Sequence, residues 1–445
     1  MTNEHARQSM ADALDNEYQV IEDFNEPISV DRREYSEVYF DLPPSKSHLI
    51  RQLIIASLSK KKVSINGVKN AGRDVLSLKK SLINIGVKIV ETGSDWTIEG
   101  FDESVQYDNI VSMDMGNSGT ALRLSMAVYP MLFSGVIFSG DKSLSTRSNH
   151  DFIGSLIDYG FSVKKYQNDD NLPILVSADL NNMKSQSISL NNDKSSQPLS
   201  GWMIASFVID SSLEIMLIGE QVSRKHALLT ESICSNYGAK LELSDGSLQI
   251  KPSKLSMPDE VSIPVDTSIV SFAMLLSAIH NCKVELSNWP KQEDCLGNDL
   301  LKLHSSEMGF DWQDNKIKFL DNGSYVELDL TDSNDLITPL SFILAISSGG
   351  KISGIGHTQY KESNRLEKTI ELMTTFGLKV DFENEQLHIA GNQELKIPSK
   401  AINSYNDHRL YMTSVILCTK VNGVIIGKGL HEIADPCFMS RLGIL

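Results

Sequence analysis

Apolar positions along this chain follow two alternating periods. Around residues 76–85, 152–159, 227–237, 300–308 and 369–376 they recur every three to four positions, which predicts amphipathic helices. Each of these segments runs into a glycine (Gly86, Gly160, Gly238, Gly309, Gly377), the residue that most easily closes a helix in the left-handed conformation. Short alternating segments follow the glycines. Residues 87–90 and 96–98, 240–243 and 248–250, and 379–382 and 386–389 read as strand pairs, the first joined by the turn formers Thr92-Gly93-Ser94-Asp95.

Between these copies lie segments that are apolar almost throughout: residues 121–129, 199–209, 271–279 and 339–346. A helix apolar on all sides is a buried helix. The five glycines are 74, 78, 71 and 68 residues apart. A period near 70 is too long for a solenoid and suits a small α/β module with one buried helix, one outer helix and strands around them.

Composition narrows the class. At 445 residues the chain exceeds one ordinary core, so two domains are expected. Apolar content of 41% with 22% charged residues describes a folded chain. The net charge of −16 argues against nucleic acid or an anionic membrane as the main partner, while leaving room for a locally basic site. Five scattered cysteines (Cys234, Cys282, Cys295, Cys418, Cys437) lack metal-type spacing and fit a reduced cytoplasmic setting. No apolar run reaches membrane-spanning length. Residues 1–35 are acidic and mixed, unlike a signal or transit peptide, and read as a loosely packed extension.

The polar clusters fall at helix starts. In residues 42–51, LPPSKSHLIR, two prolines and two serines precede an apolar run, with Lys46 and Arg51 about one turn apart. Free N–H groups, the helix dipole and two cations suit an anion; a capped helix with solvated cations explains the stretch equally well. Asp114–Thr120 precedes the buried segment 121–129 (the second apolar run, counting the one after Arg51), with Arg123 just inside it. Lys194, Ser195, Ser196 and Gln197 precede the third, and Asp266-Thr267-Ser268 and Asp335 precede the next two as ordinary caps. Asp407, His408 and Arg409 open the last, while Lys361 and Arg365, four apart, predict two cations on one helix face beside Glu362. Similar helix starts in successive repeats should converge on one cleft rich in Arg, Lys and neutral donors, suited to a ligand with several negative charges.

In these residues the chain resembles the 5-enolpyruvylshikimate-3-phosphate synthase family. The likeness runs over residues 36–441 and rests on LPPSKSHLIR, GNSGTALR, GDKSLSTR, SSQPLSG, Asp335, KESNR and NDHR, in that order. It implies an α/β, two-domain enolpyruvyl transferase fold, each domain built from three βαβαββ repeats with the active site in the interdomain cleft. One domain would span residues 45–264, and a discontinuous one would join 36–44 to 265–445. It also implies transfer of the enolpyruvyl group of phosphoenolpyruvate to the 5-hydroxyl of shikimate 3-phosphate. No cofactor or metal, a monomer, and small-molecule substrates as the only partners complete the expectation.

By resemblance, shikimate 3-phosphate would meet Ser47, Arg51, Ser195, Ser196, Gln197, Ser223, Asp335 and Lys361. Phosphoenolpyruvate would meet Lys46, Gly119, Arg147, Gln197, Arg365, Arg409 and Arg441. Attack of a hydroxyl on the enol carbon needs a base at the hydroxyl and an acid at the methylene. Asp335 would be the base and Glu362 the acid, with Lys46 assisting, His408 holding Glu362, and Arg441 in the place of a family lysine. Gly119 would leave just enough room for phosphoenolpyruvate.

The chain departs from the family pattern at Leu124 (usually proline), His226 (usually tyrosine), Asn364 (usually aspartate) and Arg441. The family's final helix after that lysine is expected to be missing, leaving the sixth repeat incomplete and part of one domain's surface either uncovered or filled by the N-terminal extension. Two other readings compete. One is the related UDP-N-acetylglucosamine enolpyruvyl transferase, whose cysteine loop is not recognisable here. The other is a weakened homologue that only binds phosphorylated ligands, which Arg441 favours and Lys46, Asp335, Glu362 and His408 oppose.

Overall fold

The computed structural model describes residues 24–101, 107–165, 172–178, 186–289, 296 and 298–444. Cys295 and residues 1–23 of the expected extension lie outside that set. Among the described residues, one compact unit is Lys46–Ile263 and the other joins residues 24–45 to residues 264–444.

Among the described residues six helices are buried, three in each unit: Lys46–Ser57, Gly119–Met126 and Gln197–Ala205 in the first, and Val270–His280, Ile337–Ile346 and His408–Val421 in the second. Val270–His280 is buried at every position before its last residue, as its unbroken apolar run requires. Side chains such as Leu340, Ile343 and Met412 are fully enclosed, each contributing roughly 1.5–3 kcal/mol of burial. The outer helices are Arg73–Asn84, His150–Tyr159, Arg224–Asn236, Asn298–Leu303 and Arg365–Thr375. All but the fourth match their predicted extent closely; Asn298–Leu303 stops well short of residue 308, and turns fill the remainder. Gly86 and Gly160 follow their helices at φ of 112° and 121°, conformations that a side chain would strain.

Five sheets repeat one order. A first strand runs parallel to a central strand, which pairs antiparallel with the second strand of a hairpin, whose first strand forms the far edge. Tyr107–Asp114, Phe133–Ser139, Ile174–Ala178 and Phe161–Lys165 are one such set, with the Gly119–Met126 and His150–Tyr159 helices between them in sequence. This is the βαβαββ module.

In each unit one module takes its first strand from a distant part of the chain. Glu260–Ser262 pairs parallel with Val63–Asn66 in the first unit. In the second, Glu37–Phe40 pairs parallel with Lys283–Leu286. The chain therefore passes from one unit to the other twice, each time between a first strand and a buried helix. Within the second unit the two crossing segments pair: Ser45 N donates to Pro264 O at 2.8 Å and Asp266 N to Pro43 O at 2.8 Å.

The sixth sheet corrects the expectation of a loosely packed extension. Pro27–Val30 pairs antiparallel with Gly423–Ile426, which runs parallel to Ile402–Asn403. The N-terminal strand thus fills the third position of the sixth module. Backbone donors at the edge of Gly423–Ile426 need acceptors, and residues almost 400 positions earlier supply them. After that sheet the chain continues into the short helix Phe438–Arg441, packed on Phe272 through Phe438.

Candidate active site

In the first unit the polar helix starts form one connected set. Lys46, the first residue of its helix, places Nζ 3.0 Å from Asp74 Oδ2, a partner that no sequence motif indicated. Arg51 is fully buried. Its Nε donates to Thr230 Oγ1 at 2.7 Å, Nη1 to Ser47 O at 2.8 Å and Nη2 to His226 O at 3.1 Å. Burial pulls its guanidinium down to about 10, so a bound anion would restore what solvent no longer provides.

Ser200, on the Gln197–Ala205 helix, accepts from Arg51 Nη2 at 3.4 Å and from Thr230 Oγ1 at 2.8 Å. At that helix's start, Gln197 Oε1 accepts from Arg123 Nη1 at 2.7 Å and its Nε2 donates to Thr120 Oγ1 at 2.9 Å. Ser195 Oγ accepts from Gln197 N at 3.2 Å, while Ser196 Oγ donates to the carbonyl of Ser223, a residue held at φ 55°. Arg147 donates to Asn117 O and Oδ1 at 3.1 and 2.8 Å and to Ser143 Oγ at 3.0 Å. Gly119 opens its helix beside both cations: a Cβ there would lie 3.1 Å from Arg123 Nη1 and 3.4 Å from Arg147 Nη1. Ser47, Arg51, Gly119, Arg147, Ser195, Ser196, Gln197 and Ser223 therefore belong to one neighbourhood with Lys46.

The second unit gathers a denser cluster. Arg365, fully buried, donates from Nη1 to Asp335 Oδ1 at 2.8 Å, from Nη2 to Glu362 Oε2, and from Nε to Asp407 Oδ2 at 2.9 Å. Burial works against its charge, but Asp407, Glu362 and Asp335 together hold the guanidinium above its ordinary range. Arg409 donates from Nη2 to Ser268 Oγ at 3.0 Å and to Asp335 Oδ2 at 3.3 Å. His408 Nδ1 stands 3.8 Å from Glu362 Oε1.

Two placements differ from the sequence reading. The outer helix begins at Arg365 because the Asn364 side chain caps it, accepting from Glu367 N at 3.2 Å. Lys361 therefore precedes the helix, and Lys361 and Arg365 do not share a helical face. Arg441 pairs with Asp435 through two hydrogen bonds of 2.7 and 3.1 Å, and its guanidinium lies 4.5 Å from the centre of the Phe40 ring. Among the described residues no hydrogen bond joins it to the Arg365 cluster.

Asp407, which the sequence reading assigns no role, holds the Arg365 guanidinium and the Arg409 backbone. His357 is buried close to Lys361 and Asp335; burial, then the Lys361 charge, holds its ring at about 4. Among the described residues no group of three His, Cys, Asp or Glu side chains could hold a metal ion.

The model of the family described as EPSP synthase (3-phosphoshikimate 1-carboxyvinyltransferase) matches residues 35–438, a span that contains both clusters. The chain belongs to the EPSP synthase family. Among the curated members of that family, the 3-phosphoshikimate 1-carboxyvinyltransferase of Methanococcus vannielii is 26% identical over 414 residues, covering 90% of this chain and 94% of the relative. That of Caldivirga maquilingensis is 26% identical over 388 residues, covering 86% and 89%. An EPSP synthase structure from Acinetobacter baumannii shares the fold at a TM-score of 0.69 and 18% identity, over 94% of this chain and 97% of that one. No helix among the described residues is long and apolar enough to cross a membrane.

Proposed function

We propose that this chain transfers the enolpyruvyl group of phosphoenolpyruvate to the 5-hydroxyl of shikimate 3-phosphate and releases phosphate. The observation that carries this reading is the second-unit cluster, in which two carboxylates of different surroundings, Asp335 and Glu362, share the buried Arg365. Family membership supplies the substrates.

The chemistry assigns each carboxyl one proton. Asp335 takes the proton of the 5-hydroxyl as its oxygen attacks C2 of phosphoenolpyruvate, and Glu362 delivers a proton to the C3 methylene. The saturated C2 then carries both oxygens. Glu362 then takes back a C3 proton while the departing phosphate takes the proton held by Asp335, which restores the double bond and returns both carboxyls to their starting states. Arg365 and Arg409, with Lys46 and Arg147 from the first unit, neutralise phosphoenolpyruvate. Ser47, Arg51, Ser195, Ser196, Gln197, Ser223 and Lys361 bind the phosphorylated acceptor, and Gly119 limits the space beside Arg147. His408 orients Glu362. Arg441 pairs with Asp435.

The test is phosphate release from phosphoenolpyruvate with shikimate 3-phosphate and, in parallel, with UDP-N-acetylglucosamine. Release with the first acceptor alone is expected, and Asp335→Asn or Glu362→Gln should lower kcat by roughly 10²–10⁴-fold. Release only with the nucleotide sugar, or with neither acceptor, overturns the reading.

A further inference from the structure

Four of the five N–H groups of Arg365 are given to this protein's own carboxylates, so an anionic substrate that takes both outer nitrogens must displace some of them. Nη1 goes to Asp335, Nη2 to Glu362 and Nε to Asp407. The three acceptors differ in freedom. Side-chain exposure is 39% for Asp335, 13% for Glu362 and 0% for Asp407.

Asp407 is also the most heavily used. Oδ2 accepts from Arg365 Nε at 2.9 Å and Ser363 Oγ at 3.1 Å, while Oδ1 accepts from Arg409 N at 2.9 Å and Arg365 Nη2 at 3.3 Å. One buried carboxylate thus sets the plane of one guanidinium and the backbone that carries the next. The Nε and Nη1 atoms of Arg409, which is 2% exposed, are buried and find no protein acceptor among the described residues. Donors without acceptors at that depth point to a ligand that supplies them.

We propose that Asp407 is a positioning residue for Arg365 and Arg409, and that phosphoenolpyruvate enters by exchanging with Asp335 and Glu362 on the outer nitrogens of Arg365. This rests on the functional reading above. The carboxyls of Asp335, Glu362 and Asp407 already occupy the guanidinium nitrogens, so an incoming anion competes with them for the same donors. Asp407 stays, which keeps the fork of Arg365 aimed while its other two acceptors depart. The exchange makes substrate arrival the event that releases the base and the acid from the arginine. Neither carboxyl is then tied to the guanidinium when its proton must move.

Steady-state kinetics and equilibrium binding on the full chain test both halves. Asp407→Asn keeps size and capping ability but loses charge, and should raise KM for phosphoenolpyruvate at least tenfold, about the value of one charge-assisted bond. KM for shikimate 3-phosphate should stay within about twofold. Should that variant fail to fold, Ser363→Ala removes one donor to Asp407 and should raise only the phosphoenolpyruvate KM, by about two- to fivefold. Asp335→Asn, though catalytically crippled, should bind phosphoenolpyruvate and inorganic phosphate more tightly by calorimetry, because its competing charge is gone. Equal rises in both KM values, an unchanged phosphoenolpyruvate KM, or weaker anion binding by Asp335→Asn would overturn the proposal while wild-type activity stands. A wild type that releases no phosphate overturns it together with the functional reading.

Discussion

Arg441 and Asp435 form a two-point ion pair in which both outer guanidinium nitrogens are used, at 2.7 and 3.1 Å. Asp435 is fully enclosed, and burial holds its carboxyl above the ordinary range even against the Arg441 charge. Cutting Asp435 to alanine strands a guanidinium that is only 7% exposed. Such uncompensated charges cost about 3–5 kcal/mol. Urea unfolding of Asp435→Ala should show a loss of that size, and a loss below about 1 kcal/mol would make the pair a surface-type contact.

Gly119→Ala places a methyl carbon 3.1 Å from Arg123 Nη1 and 3.4 Å from Arg147 Nη1. Both are tips of flexible side chains, so the protein should fold normally while the two cations shift by a few tenths of an ångström. The expected outcome is a several-fold higher KM for phosphoenolpyruvate and weaker inhibition by glyphosate, at unchanged melting temperature. An unaltered inhibition constant would show that the space beside Gly119 is not used.

Acid should destabilise the fold before its carboxylates are protonated. The buried ring of His357 is held at about 4 against an ordinary value of 6.5. Between those values the unfolded chain takes up a proton that the folded chain refuses, so stability falls as pH falls from 6.5 towards 4. At pH 5 this one group costs about 2 kcal/mol relative to neutral pH. His357→Gln should remove that share of the slope in unfolding curves at pH 7 and pH 5, and parallel pH dependence of the two proteins would refute it.

Deleting residues 1–30 removes the strand Pro27–Val30 and uncovers the edge of Gly423–Ile426. Val30 is buried, and losing that burial costs roughly 1.5–3 kcal/mol. Amide exchange at Ile425 and Gly427, whose N–H groups face that strand, should accelerate well beyond that at Ile352, in another sheet of the same unit. Equal exchange in both sheets would mean that the N-terminal strand adds nothing to the sixth module.

Much of this architecture is legible in the sequence because its signals are local. A glycine after an amphipathic segment, a turn between alternating residues, or an unbroken apolar run each acts within about ten positions. The charge spacing of Lys361 and Arg365 points to one helix holding both, but the capping side chain of Asn364 starts the helix at Arg365. Asp407 both caps its helix and positions a charge, and a capping aspartate and a charge-positioning aspartate look alike until the partner is known. That partner is Arg365, 42 residues away.

The sequence by itself determined the repeating modules, the buried and outer helices, and the ordered motifs that mark the family. Hydrophobic period and turn chemistry are written in neighbouring residues, and they survive whatever the rest of the chain does. Tertiary structure alone decided which strand completes each sheet, that Pro27–Val30 serves a module at the other end of the chain, and that Arg441 spends its charge on Asp435. It also decided that Arg365 is shared among three carboxylates. Sheet edges and buried charges are satisfied by whatever partner the fold brings within about 3 Å, and sequence distance carries no information about that proximity.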